Sequence, residues 1–351
     1  MSARIVAKVI SITNGRIDRL LSVLGDKRKL IILTHDNPDP DSIASALGLQ
    51  QLVQEHTRVK VDVAYGGYIG RAENRAMIRL LKIDLLHATR IDFSDYDATA
   101  VVDTQPGARN HSLPLDRVPT IVLDHHPPRE ESEAAEYSDV GGDYGATTTK
   151  VLEYLRASHT KIDEALATAL FYGVKSDTRD LGRESNQADF TAYRFLIDHA
   201  NLPLVSEIEH PQVPREYFRA MVDAFKRARV FDSAVVVNLG EVYTPDLCAE
   251  LSDRLLQADG IKWSLALGIH ANQLYVSIRT RDKRRNAGKL IAEVITERGM
   301  AGGHGSMAGA RQPLIGQGAR ARKQTAADVI RRFLKALDVG SNVEGESLIS
   351  S

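Results

Sequence analysis

Short aliphatic runs alternate along the chain with longer segments whose apolar residues recur at helical spacing. Leu30–Leu33, Val59–Ala64, Ala98–Val102 and Thr120–Leu123 are rich in Ile, Val, Leu and Ala and bounded by polar residues. Too short for helices, they predict strands buried in a parallel sheet. After the first strand, Ile43, Ala46, Leu47 and Val53 share one helical face, with Asp41 or Ser42 as the N-cap. Further helices are expected over 5–24, closed by Gly25, and over 71–81, 147–157, 162–176 and 186–200. Strands alternating with helices mean βαβ units.

Residues 201–214 hold three prolines and little apolar pattern, so they read as a linker, followed by a connecting helix to about Arg229. A second alternation then begins. Ala234–Leu239 is a strand and Pro245–Gln257 a helix. Trp263–Ile269 and Leu274–Thr280 form a hairpin, and helices follow over 287–298 and 325–337. The Gly-, Ser- and Glu-rich tail, 339–351, is expected to be mobile. The fold class is α/β: a parallel-sheet unit, a helical linker and a smaller α/β unit.

The length, 351 residues, suits two such domains. A net charge of −1 gives no overall field that selects nucleic acid. Cys248 is alone, so it forms no internal disulfide and reads as a small buried hydrophobe in a reducing compartment. Lys8, Asn14, Arg16 and Asp18 break up any signal-peptide core. No apolar run approaches the roughly 20 residues of a membrane helix. The expected location is the cytoplasm, with no membrane partner.

Four segments offer metal-type ligands where an apolar element ends: His35, Asp39 and Asp41; Asp103; Asp124, His125 and His126; and Asp177. Each acid alone has an ordinary use in a turn or a helix cap. Together they change the picture, because strand carboxyl ends in a parallel sheet share one edge. Five carboxylates there repel one another unless a cation intervenes. Carboxylates mixed with imidazoles suit Mn²⁺ or Mg²⁺, with Zn²⁺ open. Six or more ligands point to two ions, the arrangement used for in-line attack at phosphorus. In the second unit Arg279 alternates with Tyr275 and Ser277 on one strand face, placed to hold a phosphate bidentately. The following Lys283, Arg284 and Arg285 read as a solvated loop, and His56, His87, His159 and His270 receive no role. Gly302 and Gly303 would let backbone amides approach a phosphate, with His304 as a further donor.

These residues resemble the four motifs of the DHH phosphoesterases: His35-x-x-x-Asp39-x-Asp41, Asp103, Asp124-His125-His126 and Asp177. Ala301-Gly302-Gly303-His304 resembles the Gly-Gly-His motif of the DHHA1 domain that follows them, with Ala301 in place of the usual first glycine. The set spans roughly residues 28–312, and its compact form is similar to the bacterial oligoribonuclease and 3′-phosphoadenosine 5′-phosphate phosphatase group. Asn37-Pro38-Asp39-x-Asp41-Ser42 is shared with family II inorganic pyrophosphatases, whose second domain differs. The resemblance implies a DHH domain over 1–205, a linker helix over 206–232 and a DHHA1 domain over 233–338. It implies that His35, Asp39, Asp103 and Asp177 hold one cation and that Asp41, Asp103 and His125 hold the other. Asp124 would orient a histidine, and His126 would face the substrate phosphate.

The expected reaction is hydrolysis of a phosphate ester by water activated between two divalent cations. His126, Asp103 and Arg279 would act in it, and Arg279, Gly302, Gly303 and His304 would grip the substrate. The expected substrates are short RNAs, linear dinucleotides or nucleotide bisphosphates, with a homodimer left open. The alternatives are a pyrophosphatase or short-chain polyphosphatase, and a nucleotide-sensing protein without turnover.

Overall fold

The computed structural model describes residues 15–295, 300–340 and 343–349. Contacts divide the chain into Met1–Pro211 and Gln212–Ser351. The expected helix over 5–24 lies partly outside the described residues, and 15–22 of it is helical (α1).

The first unit is built on six parallel strands: β1 (Lys29–Leu33), β2 (Lys60–Tyr65), β3 (Leu86–His87), β4 (Ala98–Val102), β5 (Ile121–Asp124) and β6 (Tyr137–Val140). Their order is β3-β2-β1-β4-β5-β6. The helices are α2 (Pro40–His56), α3 (Ala72–Leu80), α4 (Thr147–Ala157), α5 (Glu164–Asp177), α6 (Gln187–Ile197) and α7 (Leu202–Glu209). Both faces of the sheet are covered at its centre, which is why β1, β4 and β5 are largely aliphatic. Leu30 and Ile32 of β1 enter one core with Leu49, Leu52 and Leu170. Ile31 and Leu33 enter the other with Val101 and Val122. The strand order reverses between β1 and β4, and such a switch point opens a crevice beyond the strands' carboxyl ends.

Asp39 caps α2, in place of the expected Asp41 or Ser42. Its Oδ1 accepts from Ser42 N at 3.0 Å, and Asp39 N donates to Ser42 Oγ at 3.1 Å. Pro40 begins the helix at a position that needs no N–H. The strands β3 and β6 were not expected; one is two residues long and the other carries Ser138 and Asp139. The proline-rich stretch read as a linker contains α7, capped by Asn201 through Leu204 N, with its proline in the first turn.

The second unit holds a seven-stranded sheet, order β11-β12-β10-β9-β8-β7-β13. The strands are β7 (Arg229–Phe231), β8 (Ala234–Glu241), β9 (Trp263–His270), β10 (Gln273–Thr280), β11 (Met300–His304), β12 (Met307–Pro313) and β13 (Glu346–Ser347). Pairing is antiparallel except between β8 and β9. α8 (Arg215–Arg227) and α9 (Asp246–Leu255) pack one core, which includes the buried Cys248. α10 (Ala287–Val294) and α11 (Ala319–Ala336) pack the other through Ile291, Val329 and Phe333. The tail expected to be mobile is corrected in part: Glu346 and Ser347 pair with Val230 and Arg229 of β7. An edge strand leaves unpaired backbone groups, and this segment satisfies some of them.

Gly173 of α5 marks a close helix crossing in the first unit. A Cβ there would lie 2.6 Å from Thr148 Oγ1, 3.0 Å from Ala44 Cβ and 3.3 Å from Pro40 O. Gly173→Ala is expected to cost about 1–3 kcal/mol through overpacking, read as a lower denaturant midpoint at constant slope. A neutral or raised midpoint would contradict this packing.

Candidate metal centre

The switch point gathers the ligand-bearing segments. β1 delivers His35, β4 delivers Asp103 and β5 delivers Asp124, His125 and His126. The first turn of α2 and the end of α5 add Asp41 and Asp177. Two triads of ligand atoms each fall within 4.8 Å: His35, Asp39 and Asp103, and Asp41, His125 and Asp177. Asp103 stands between them. Its Oδ2 is 3.6 Å from His35 Nε2, and its Oδ1 is 3.8 Å from His125 Nε2. All six expected metal ligands therefore meet in one place. Asp177 Oδ2 lies 3.5 Å from His125 Nε2, which groups it with Asp41 and His125.

The donor chemistry fits a divalent cation. His125 Nδ1 bonds to the Tyr144 carbonyl at 3.1 Å, which leaves Nε2 with a lone pair turned towards carboxylates. That Nε2 is buried and has no hydrogen-bond partner. His35 has the same design, with Nδ1 on the Asp36 carbonyl at 3.0 Å. An imidazole nitrogen facing carboxylate oxygens is unfavourable unless a proton or a metal cation lies between them.

The titration of the carboxylates has the same origin. Burial, then repulsion from Asp41, Asp39, Asp124 and Asp177, raises the Asp103 carboxyl well above its ordinary range. Burial with repulsion from Asp41 and Asp39 lifts Asp177 to about 7. Burial opposes a charged His35, but the Asp39 carboxylate outweighs it and lifts the imidazole to about 9. Asp103 also has a backbone φ of +57°, the left-handed region that costs a non-glycine residue about 1–3 kcal/mol. Such strain persists only where surrounding contacts over-determine the position.

Supporting contacts hold each ligand. Asp41 receives Thr147 N and Thr148 N at 2.8 Å each, so a carboxylate from α2 caps α4, whose own N-cap, Ala146, has no polar side chain. Asp177 Oδ1 accepts from Arg183 Nη2 at 2.8 Å. Asp124 orients His126, with Oδ1 to Nδ1 at 2.8 Å, while Gln105 Nε2 bonds its other oxygen at 2.7 Å. Burial opposes a charged His126, yet the Asp124 bond raises its pKa. The buried Lys150 donates to the carbonyls of Asp124, Asp139 and Gly141 at 3.0, 2.9 and 2.8 Å, tying the ends of β5 and β6. Sequence reading missed Gln105, Tyr144, Lys150 and Arg183. Only Lys150 left a trace, as a cation next to the apolar Val151, Leu152 and Leu155 of a helix.

The residues expected to grip substrate lie in the second unit. Arg279 is 7% exposed. Its Nε donates to Asp253 Oδ1 at 2.9 Å, and its Nη1 donates to Ser277 Oγ at 2.9 Å and Ile278 O at 3.0 Å. The strand-face alternation with Ser277 holds, and the guanidinium is anchored inside the unit through Nε and Nη1. Arg285, read as part of a solvated loop, bonds Ala336 O and Asp338 beyond α11. Gly302, Gly303 and His304 lie in β11. A Cβ on Gly303 would meet Met307 O at 2.4 Å, so the hairpin itself requires this glycine, whereas the space beside Gly302 is open.

The N-terminal domain of the DHH family matches residues 29–174, and the DHHA1 domain matches 232–338. An uncharacterized protein of Methanocaldococcus jannaschii is 37% identical over 291 residues, covering 82% of this chain and 59% of its own. A cyclic-di-AMP phosphodiesterase of Geobacillus thermodenitrificans is 26% identical, covering 86% of this chain and 46% of its own. The chain thus spans about half the length of these relatives. Among solved structures, an exopolyphosphatase-related protein from Bacteroides fragilis superposes with a TM-score of 0.70 at 17% identity, over 92% of this chain and 98% of its own. RecJ from Thermus thermophilus, solved with Mn²⁺, gives 0.53 at 14% identity, over 95% and 55%. At these identities the structures establish a shared fold. No helix among the described residues is long and apolar enough to cross a membrane.

The raised acids and His35 fix how stability responds to pH. Folded Asp177 holds a proton between about 3.8 and about 7, where the unfolded chain has released it. His35 does the same between 6.5 and about 9. Stability of the metal-free protein should therefore fall as pH rises from 5 to 9, and Mn²⁺ should stabilise more as pH rises. Thermal melts with and without Mn²⁺ read both effects. A metal-free melting temperature that rises over this range would contradict the assignment.

Proposed function

The chain belongs to the DHH family, with a DHHA1 domain as its second unit, and from that premise we propose that it is a metal-dependent phosphoesterase. One observation carries the reading: two triads of ligand atoms share an edge, with Asp103 between them and the buried His125 Nε2 turned towards their carboxylates. His35, Asp39 and Asp103 would hold one divalent cation, and Asp41, His125 and Asp177, with Asp103, the other. Bound there, two cations would acidify water and offset the charge of a phosphoryl group. Mn²⁺ is the ion proposed, with Mg²⁺ as the alternative.

The chain's own groups supply the rest. His126, fixed by Asp124 and raised in pKa, holds a proton that it can pass to the leaving oxygen. Asp103, Asp41 and Asp177 set the negative charge that selects a divalent ion. We narrow the substrate to small nucleotide phosphoesters: short RNAs, linear dinucleotides or nucleotide bisphosphates. Two observations support that class. Relatives over most of this chain are named for a dinucleotide substrate. The near-zero net charge also conceals a division: residues 212–351 carry 21 Lys and Arg against 15 Asp and Glu, while residues 1–211 carry 24 against 31. A basic second unit suits an anionic substrate.

Turnover with Mn²⁺ on a linear dinucleotide, cyclic di-AMP, a nucleotide bisphosphate and pyrophosphate tests the proposal. Nucleotide or phosphate release from the nucleotide substrates should outpace pyrophosphate hydrolysis, and the reverse order would move the protein to the pyrophosphatase reading. His126→Ala should lower kcat by about 10²–10⁴-fold with Mn²⁺ binding retained. Asp103→Asn should abolish turnover and weaken both ions together; retained turnover in that variant would remove Asp103 from the centre.

A further inference from the structure

Three metal ligands reach the centre from different elements, and one residue of α4 touches all three, two through its hydroxyl and one through its main chain. The Thr147 hydroxyl donates to Asp103 Oδ1 at 2.8 Å and accepts from His125 N at 3.2 Å. Its backbone N–H donates to Asp41 Oδ2 at 2.8 Å. The residue is fully buried, so no water competes for these bonds. Because the hydroxyl has a single proton and already accepts from the His125 amide, that proton is directed to Asp103.

We infer that Thr147 is a positioning residue that sets the spacing of Asp103, His125 and Asp41 for cation binding. Each contact does separate work. The bond to Asp103 Oδ1 turns that carboxylate so that Oδ2 lies 3.6 Å from His35 Nε2. It also helps hold a residue whose φ of +57° needs external restraint. The bond from His125 N fixes the backbone from which the imidazole projects, while Tyr144 O fixes the ring. The contact with Asp41 uses main chain, so it survives any substitution except proline. The hydroxyl is therefore separable from the helix cap, and valine, which keeps the branched shape, removes only the hydroxyl.

The inference rests on the metal-centre reading, and the test separates the two. Calorimetric titration of Mn²⁺ into the metal-free full-length protein compares wild type, Thr147→Val and Thr147→Ser, with melting curves confirming the fold. Thr147→Val should lose about 10- to 100-fold in Mn²⁺ affinity, the usual effect of removing a group that orients a ligand. Thr147→Ser, which keeps the hydroxyl, should restore most of it. If the valine variant does not fold, the serine variant and Thr147→Ala carry the same comparison. Wild-type affinity in Thr147→Val, or equal losses in the valine and serine variants, would overturn the inference. Absence of Mn²⁺ binding by the wild type would overturn the metal centre itself.

Discussion

Mutual repulsion among buried carboxylates is the constraint to which the first unit answers. Asp41, Asp103 and Asp124 are each almost fully buried, and Asp177 joins them from the end of a helix. A helix carboxyl end adds its own partial negative charge to that position. Like charges at such distances cannot all remain ionised without compensation, and burial weakens the screening that water would provide. The unit supplies partial compensation through Arg183 on Asp177, Gln105 and His126 on Asp124, and the first N–H groups of α4 on Asp41. What remains is a concentration of negative charge around Asp103 with the Nε2 atoms of His35 and His125 turned towards it. Divalent cations match both the sign and the donor set.

The parallel sheet makes this concentration tolerable by keeping it rigid. Ligands stand on strand ends or helix ends, while the groups that orient them come from neighbouring segments. Lys150 is the clearest example: a fully buried cation that touches no ligand side chain, yet secures the carbonyl beside His125. Its charge also lowers the field produced by the acids. Removing the strand-end geometry would leave the same residues as an ordinary set of turn acids.

The sequence made the first unit legible because its signals are local. Aliphatic runs of four or five residues marked the strands, and Asp124-His125-His126 marked where one of them meets the crevice. The division of ligands between the two triads was not legible. It depends on which way the last turn of α5 presents Asp177 to His125, a contact across 52 positions of sequence. Arg279 shows the same limit differently. Alternation along β10 reported its face correctly, but nothing local announced that Asp253 of α9 would meet it there. Strands β6 and β12 escaped because polar or glycine residues interrupt their hydrophobic pattern, and tertiary pairing overrides that weak preference. Burial in the second unit shows why Gly303 reads ambiguously: a hairpin that admits no Cβ and a phosphate cradle use the same residue.

Anomalous diffraction from crystals grown with Mn²⁺ at neutral pH tests the central claim most directly. The account requires two Mn²⁺ peaks per chain, one bounded by His35, Asp39 and Asp103 and the other by Asp41, His125 and Asp177, with Asp103 touching both. Peaks confined to other parts of the chain, with this cluster left without an ion at saturating Mn²⁺, would contradict it.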